Sequence, residues 1–221
     1  MTTTMAKHPL WNDEYRILLL AIYLQKPVGV KSPHSRQLVE LALQLHVPPK
    51  TLHREMQMLD DKDKVSVRKL WDTYGNNPRR LNNAVKRLRG MDGFGNADVF
   101  YDGVDNNDTL AEEYMPVCAE SCLSRAMIAV ITSLYFRLTP STMVTETPEV
   151  IDTAKLLGIK PETVESVLHM LQQFDPLTKR ERTAALPQPV ADTAHTIWRM
   201  FNNMMPEAME KKVEQYMEFF K

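Results

Sequence analysis

The chain has 221 residues, with 27 Lys and Arg against 28 Asp and Glu, a formal charge of −1. A hydrophobic share of 43% with 25% charged residues is that of a folded globular protein, and the length allows one or two domains. Two cysteines exclude a disulfide framework and a cysteine-rich zinc scaffold, and seven glycines against fourteen methionines and fourteen prolines argue against sandwiches, barrels and Gly-rich phosphate-binding folds.

Residues 1–9, MTTTMAKHP, contain no apolar run and no small-residue cleavage site, and read as a flexible tail. The apolar run Ile17 to Ile22 falls far short of the ~20 residues a membrane span needs. A cytoplasmic protein with no membrane partner is expected. No stretch alternates apolar and polar residues long enough to predict a strand. Prolines instead separate runs of helical period, predicting helices over 12–25, 34–45, 49–60, 65–75, 78–89, 118–137, 148–157, 161–173, 189–204 and 206–220. Asn12 is a candidate cap for the first, Ser66 for the fourth, and Pro161 suits a first-turn position. Four of the seven glycines, Gly90, Gly93, Gly95 and Gly103, mark an acidic, turn-rich stretch. It reads as a linker over 91–117, held against one half by Phe94, Phe100 and Tyr101.

The chain also resembles itself. A shift of 112 residues places Tyr23 on Tyr135, Ala42 on Ala154, Leu45 on Leu157, Pro49 on Pro161, Thr51 on Thr163, Met58 on Met170 and Leu59 on Leu171. A shift of 127 places Leu70-Trp71 on Ile197-Trp198, and one further residue places Pro78 on Pro206. The expected architecture is all-α: two homologous multi-helix modules, 10–90 and 118–221, joined by the acidic glycine-containing linker.

The aligned heart of each module is helix, tight turn, helix. In the second module, Ala154 is small where two helices approach, Gly158 suits a left-handed turn, and Val164 and Val167 face back onto the preceding helix. This spacing resembles the helix-turn-helix of DNA-binding proteins. The first module keeps Ala42, Leu45, Val47, Leu52 and Met56. It places His46 at the turn and Glu55 at the later apolar position, so Met56 is expected to supply the packing. Across residues 11–75, the order of Trp11, Tyr23, Leu41-Ala42, Leu45, Pro49, Leu59-Asp60 and Leu70-Trp71 resembles the DNA-binding module that precedes the catalytic domain in some HNH-type endonucleases. The nuclease part is absent: histidines 8, 34, 46, 53, 169 and 195 form no His-Asn-His cluster. The resemblance implies a reader without a nuclease.

The charge is split. Residues 1–90 hold sixteen Lys and Arg against eight Asp and Glu, net +8; residues 91–221 hold eleven against twenty, net −9. A basic half with a helix-turn-helix is the electrostatic footprint of duplex DNA binding. With Leu52, Met56 and Leu59 buried, the second helix of the first module is expected to expose Lys50, Thr51, His53, Arg54 and Gln57. Arg and Gln read purine edges by paired hydrogen bonds. Arg79, Arg80, Lys86, Arg87 and Arg89 on the helix 78–89 are candidates for phosphate contact. The matching face of the second module, Glu162, Thr163, Glu165, Ser166, His169 and Gln172, carries two carboxylates and suits a protein partner or self-association better than DNA.

No phosphate loop, dinucleotide fingerprint or catalytic triad motif is present, so no enzyme, cofactor or metal is expected. Cys118 and Cys122, four apart on an expected helix, lack a second ligand pair and read as half-buried thiols. Asp60, Asp61 and Asp63 lack the glycine and glutamate of a calcium loop. The sequence thus predicts a DNA-binding protein, with transcription regulation as its role. The alternative is a helical adaptor binding proteins through tandem modules.

Overall fold

The computed structural model describes residue 8 and residues 10–95, 109–176 and 186–221. The tail expected over 1–9 lies, except for His8, outside them, as do Phe100 and Tyr101 of the expected linker. All regular structure among the described residues is helical, apart from one isolated antiparallel bridge between Pro116 and Ser124. Six helices carry a proline in the first turn, where its missing N–H costs nothing: those beginning at Pro49, Pro78, Pro148, Pro161 and Pro206, and the one spanning Gln188–Asn202. The chain divides into two compact units, Met1–Asp108 and Thr109–Lys221.

The first unit begins with a 3-10 turn, Asp13–Tyr15, that runs into α1, Arg16–Tyr23. Asn12 caps it by accepting from the Glu14 amide at 3.1 Å. Next come α2, Arg36–Leu45, and α3, Pro49–Gln57, which closes in a 3-10 turn at Met58–Asp60. α1 packs on α3, and α2 also packs on α3, around buried Leu19, Leu38, Leu52, Met56 and Leu59. α4, Val65–Leu70, continues as a π turn over Trp71–Gly75, and α5, Pro78–Arg89, follows. Lys64, not Ser66, is at the start of α4; Ser66 lies inside the helix, exposed, and caps nothing. The Trp71 indole donates to the Leu59 carbonyl at 2.9 Å and meets Tyr23 edge-on at 5.7 Å. Gly75 is required beside it, since a Cβ there would lie 2.6 Å from Trp71 Cε3. Of the stretch read as a linker, residues 91–95 belong to this unit, with Phe94 edge-on to Tyr15 at 6.2 Å.

The second unit is built on one buried helix, α7, Arg125–Tyr135. Nine of its eleven residues are buried, including Thr132, whose hydroxyl is satisfied by the Ile128 carbonyl at 2.7 Å. Around it pack α6, Thr109–Tyr114; α8, Pro148–Leu157; α9, Pro161–Leu171; α10, Gln188–Asn202; and α11, Pro206–Phe220. α6 falls within the stretch read as a linker, where turn residues hide its one and a half turns. Residues 118–124 are not the first part of a long helix, as the sequence suggests. They form a loop, and Ser124 caps α7 by accepting from the Met127 amide. None of the described helices is long and apolar enough to cross a membrane.

Candidate nucleic-acid interface

The turn between α2 and α3 falls at His46, which takes the left-handed conformation with φ 51°. Its ring costs more there than a glycine would, but the turn is closed by the Val47 amide donating to the Ala42 carbonyl at 3.2 Å. Ala42 is buried where α2 and α3 approach. Leu52, Met56 and Leu59 are wholly inside, as the sequence predicts.

One inward residue departs from that prediction. Glu55 is buried as well, beside Met56, which supplies apolar packing as expected. Its carboxylate accepts from Arg16 Nη2 on α1 at 3.0 Å, and the side chains are only 3% and 14% exposed. Arg16 also reaches Asp13 at 3.3 Å. Its Nε is buried without a hydrogen-bond partner among the described residues. A second charge is also turned inward: Lys31, buried in the loop before α2, gives its ammonium to the carbonyls of Gln25 and Pro27. The loop grips α3 through His53 Nδ1, 2.7 Å from the Lys31 carbonyl, and through the Lys31 amide, which donates to Met56 Sδ at 3.2 Å.

These contacts narrow the candidate face of α3. Lys50 and Gln57 are exposed, and half-buried Arg54 lies on the same stripe at helical spacing. Thr51 and His53, expected outside, are half-buried; the loop beside α3 takes His53's side of the helix. On α5, Asn77 caps the first turn by accepting from the Arg80 amide at 3.0 Å. Leu81, Ala84 and Leu88 face in, and Arg79, Arg80, Lys86, Arg87 and Arg89 are all exposed. The helix has no acidic residue, and none of its five cations forms an ion pair among the described residues. Arg80 lies 5.7 Å over the Tyr74 ring. α1 is the common neighbour of α3 and α5.

Known protein families, curated proteins and solved structures give no match to the chain.

In the second unit, Glu162 is exposed, while Thr163, Glu165, Ser166 and His169 are half-buried on α9. The His169 ring lies 4.0 Å from Glu165. Gln172, expected on this face, is buried: α9 ends at Leu171, and the Gln172 amide group turns in to Met143 Sδ at 3.1 Å. Asp60 accepts the Tyr23 hydroxyl, which pushes the phenol's pKa upward, and Asp61 pairs with Lys64 at 3.2 Å. Among the described residues no group of three or more His, Cys, Asp and Glu could hold a metal.

The sequence reading missed Arg16, Glu55 and Lys31 because each is a charge used inside the fold. For the first two a signal was present. The 112-residue shift places Arg16 on Ile128 and Glu55 on Val167, both fully buried.

Proposed function

We propose that the protein is a non-enzymatic, cytoplasmic duplex-DNA-binding protein, a transcriptional regulator, whose first unit docks α3 in the major groove. The observation that carries this reading is the outward stripe Lys50, Arg54 and Gln57 behind a helix-turn-helix turn, together with an α5 bearing five exposed cations and no anion. Arg54 and Gln57 would read base edges, with Lys50 at the helix start on phosphate. The α5 cations would neutralise phosphates on the flank and release counterions. The resemblance of residues 11–75 to the module preceding HNH nuclease domains is in keeping with such a reader.

The second unit is read as a diverged copy of the same module. In support, Gly158 turns left-handed at φ 67° where His46 does, and the Ile159 amide donates to the Ala154 carbonyl at 3.0 Å as Val47 does to Ala42. Val164, Leu168 and Leu171 are buried at the positions of Leu52, Met56 and Leu59. The pairwise exchange of Arg16 and Glu55 for Ile128 and Val167 is what a duplicated contact would leave. With Glu162 and Glu165 on its α9, this copy would repel phosphate. That acidic face favours the adaptor reading for the second unit, as a surface for a basic protein partner.

The test is titration of the full chain against fluorescent duplexes over a range of salt. Arg54→Ala and Gln57→Ala should each relax discrimination between sequences by about 1–3 kcal/mol. Combined Arg79→Ala, Arg80→Ala and Arg87→Ala should weaken all duplexes alike and flatten the salt dependence. A full chain that binds no duplex at low salt overturns the reading.

A further inference from the structure

The connection between α6 and α7 contains the chain's two cysteines. It doubles back on itself. Pro116 and Ser124 form an antiparallel bridge, the Val117 amide donates to the Leu123 carbonyl at 2.9 Å, and the Ser121 amide donates to the Cys118 carbonyl at 3.2 Å to close the tip. These bonds set a register. Pro116 faces Ser124, Val117 is bonded to Leu123, and the loop between them has Cys118 at one end and Cys122 at the other.

Both arms are anchored. Leu123 is buried, Ser124 caps α7, and Val117 and Cys118 pack against the core of the unit. Cys122 is exposed and Cys118 half-buried, both as free thiols. One backbone hydrogen bond joins Val117 to Leu123, and the Leu123 amide turns to Ser121 Oγ at 3.1 Å, so the two cysteines sit at the two ends of a short loop just beyond a bonded pair. A hydrogen-bonded antiparallel pair has its Cα atoms about 5.5 Å apart, and a turn such as the one closed by Ser121 on Cys118 brings its ends within about 7 Å, so the loop holds the two cysteines near one another. A disulfide spans Cα separations of roughly 4.4–6.8 Å.

We propose that Cys118 and Cys122 are a reversible dithiol–disulfide site, oxidised by a small-molecule disulfide of the glutathione type. The exposed Cys122 thiolate attacks one sulfur of that disulfide, and the other sulfur leaves as a thiolate that takes up the proton Cys122 released. Cys118, deprotonated in turn, attacks the Cys122 sulfur of the mixed disulfide. The second small thiol leaves with the Cys118 proton. Two protein thiols are oxidised, one small disulfide is reduced to two thiols, and protons balance. Under reducing conditions the site stands open as two thiols; under oxidation it ties the arms of the loop together.

The experiment equilibrates the full chain in buffers of rising oxidised-to-reduced glutathione ratio, alkylates with iodoacetamide and reads the intact mass. The expected product is an unalkylated monomer lighter by two hydrogens, restored to two alkylatable thiols by dithiothreitol. Cys118→Ser should instead accumulate one glutathione adduct at Cys122, at least tenfold above wild type. Cys122→Ser should react more slowly through the half-buried Cys118. A wild-type chain that keeps both thiols in excess oxidised glutathione overturns the proposal. So does one that accumulates adducts or linked dimers in place of the closed monomer.

Discussion

Replacing the Arg16–Glu55 pair tests how the first unit is held together. Glu55→Val leaves a guanidinium that is 14% exposed without its carboxylate, and Arg16→Ile leaves a carboxylate that is 3% exposed without its cation. Breaking a buried pair from one side costs about 3–5 kcal/mol. Glu55 is the more enclosed partner, so Arg16→Ile should be the worse single change. The double variant Arg16→Ile/Glu55→Val installs the residues that a 112-residue shift places there, Ile128 and Val167, both fully buried where they stand. It removes the unpartnered Arg16 Nε, a relief of about 1–3 kcal/mol. Against this, an unfilled volume of about 40 Å³ left by the shorter side chains costs roughly 1 kcal/mol. The double variant should therefore lie close to the parent protein or slightly above it, with a coupling between the two sites of several kcal/mol where independent sites add to within ~0.5. The assay is urea unfolding followed by tryptophan fluorescence in a Trp198→Phe background. Trp11 and Trp71 then report on the first unit alone. Single variants that each cost under ~1 kcal/mol, or a double variant that costs the sum of the singles, would refute the reasoning.

Three further outcomes follow from local geometry. Gly158→Ala should destabilise the second unit by about 1–2 kcal/mol in thermal or urea unfolding: no atom crowds the new methyl, so the cost is that of a left-handed φ of 67° alone. Gly75→Ala drives a methyl to 2.6 Å from Trp71 Cε3 and should cost roughly 1–3 kcal/mol, with a shift in tryptophan emission as the ring is displaced. The Tyr114 and Tyr216 phenols are both pushed well above their ordinary pKa of 10.0, first by burial and then by the Glu113 charge. A raised folded-state value means the unfolded chain ionises first. Their contribution is therefore complete below about pH 10 and is lost as pH rises toward the folded values. Melting curves of the full chain from pH 8 upward, with tyrosinate absorbance read in parallel, should show this alkaline loss in the parent protein and less of it in Tyr216→Phe.

Helix content, most helix positions, the left-handed turn at Gly158 and the outward face of α5 were legible in the amino-acid order alone. Each depends on local rules. Proline cannot sit deep in a helix, glycine tolerates positive φ, and a helix with Leu81, Ala84 and Leu88 on one side must turn its arginines to the other. The self-similarity at a 112-residue shift was legible for the same reason, since it is a property of the string. What neighbouring elements do to a residue was not. His53 and Arg54 look exposed on a helical wheel, but His53 is taken by the carbonyl of Lys31, twenty-two residues away in sequence. Glu55 looks like a break in an apolar stripe until Arg16 is brought across from α1. α6 is too short and too acidic to announce itself, and it is helical where it packs on α7. The two cysteines show the division most plainly. A spacing of four suggests one face of a helix, and only the backbone bonds between Pro116 and Ser124 turn that spacing into two residues at the two ends of a closed loop. Sequence by itself determined most of the helical segments, the starts that proline marks and how charge is shared between the halves, because those follow from short-range sterics and composition. The tertiary structure decided which charges point outward to solvent and which are consumed inside the fold. Desolvation and pairing act between residues that are distant along the chain.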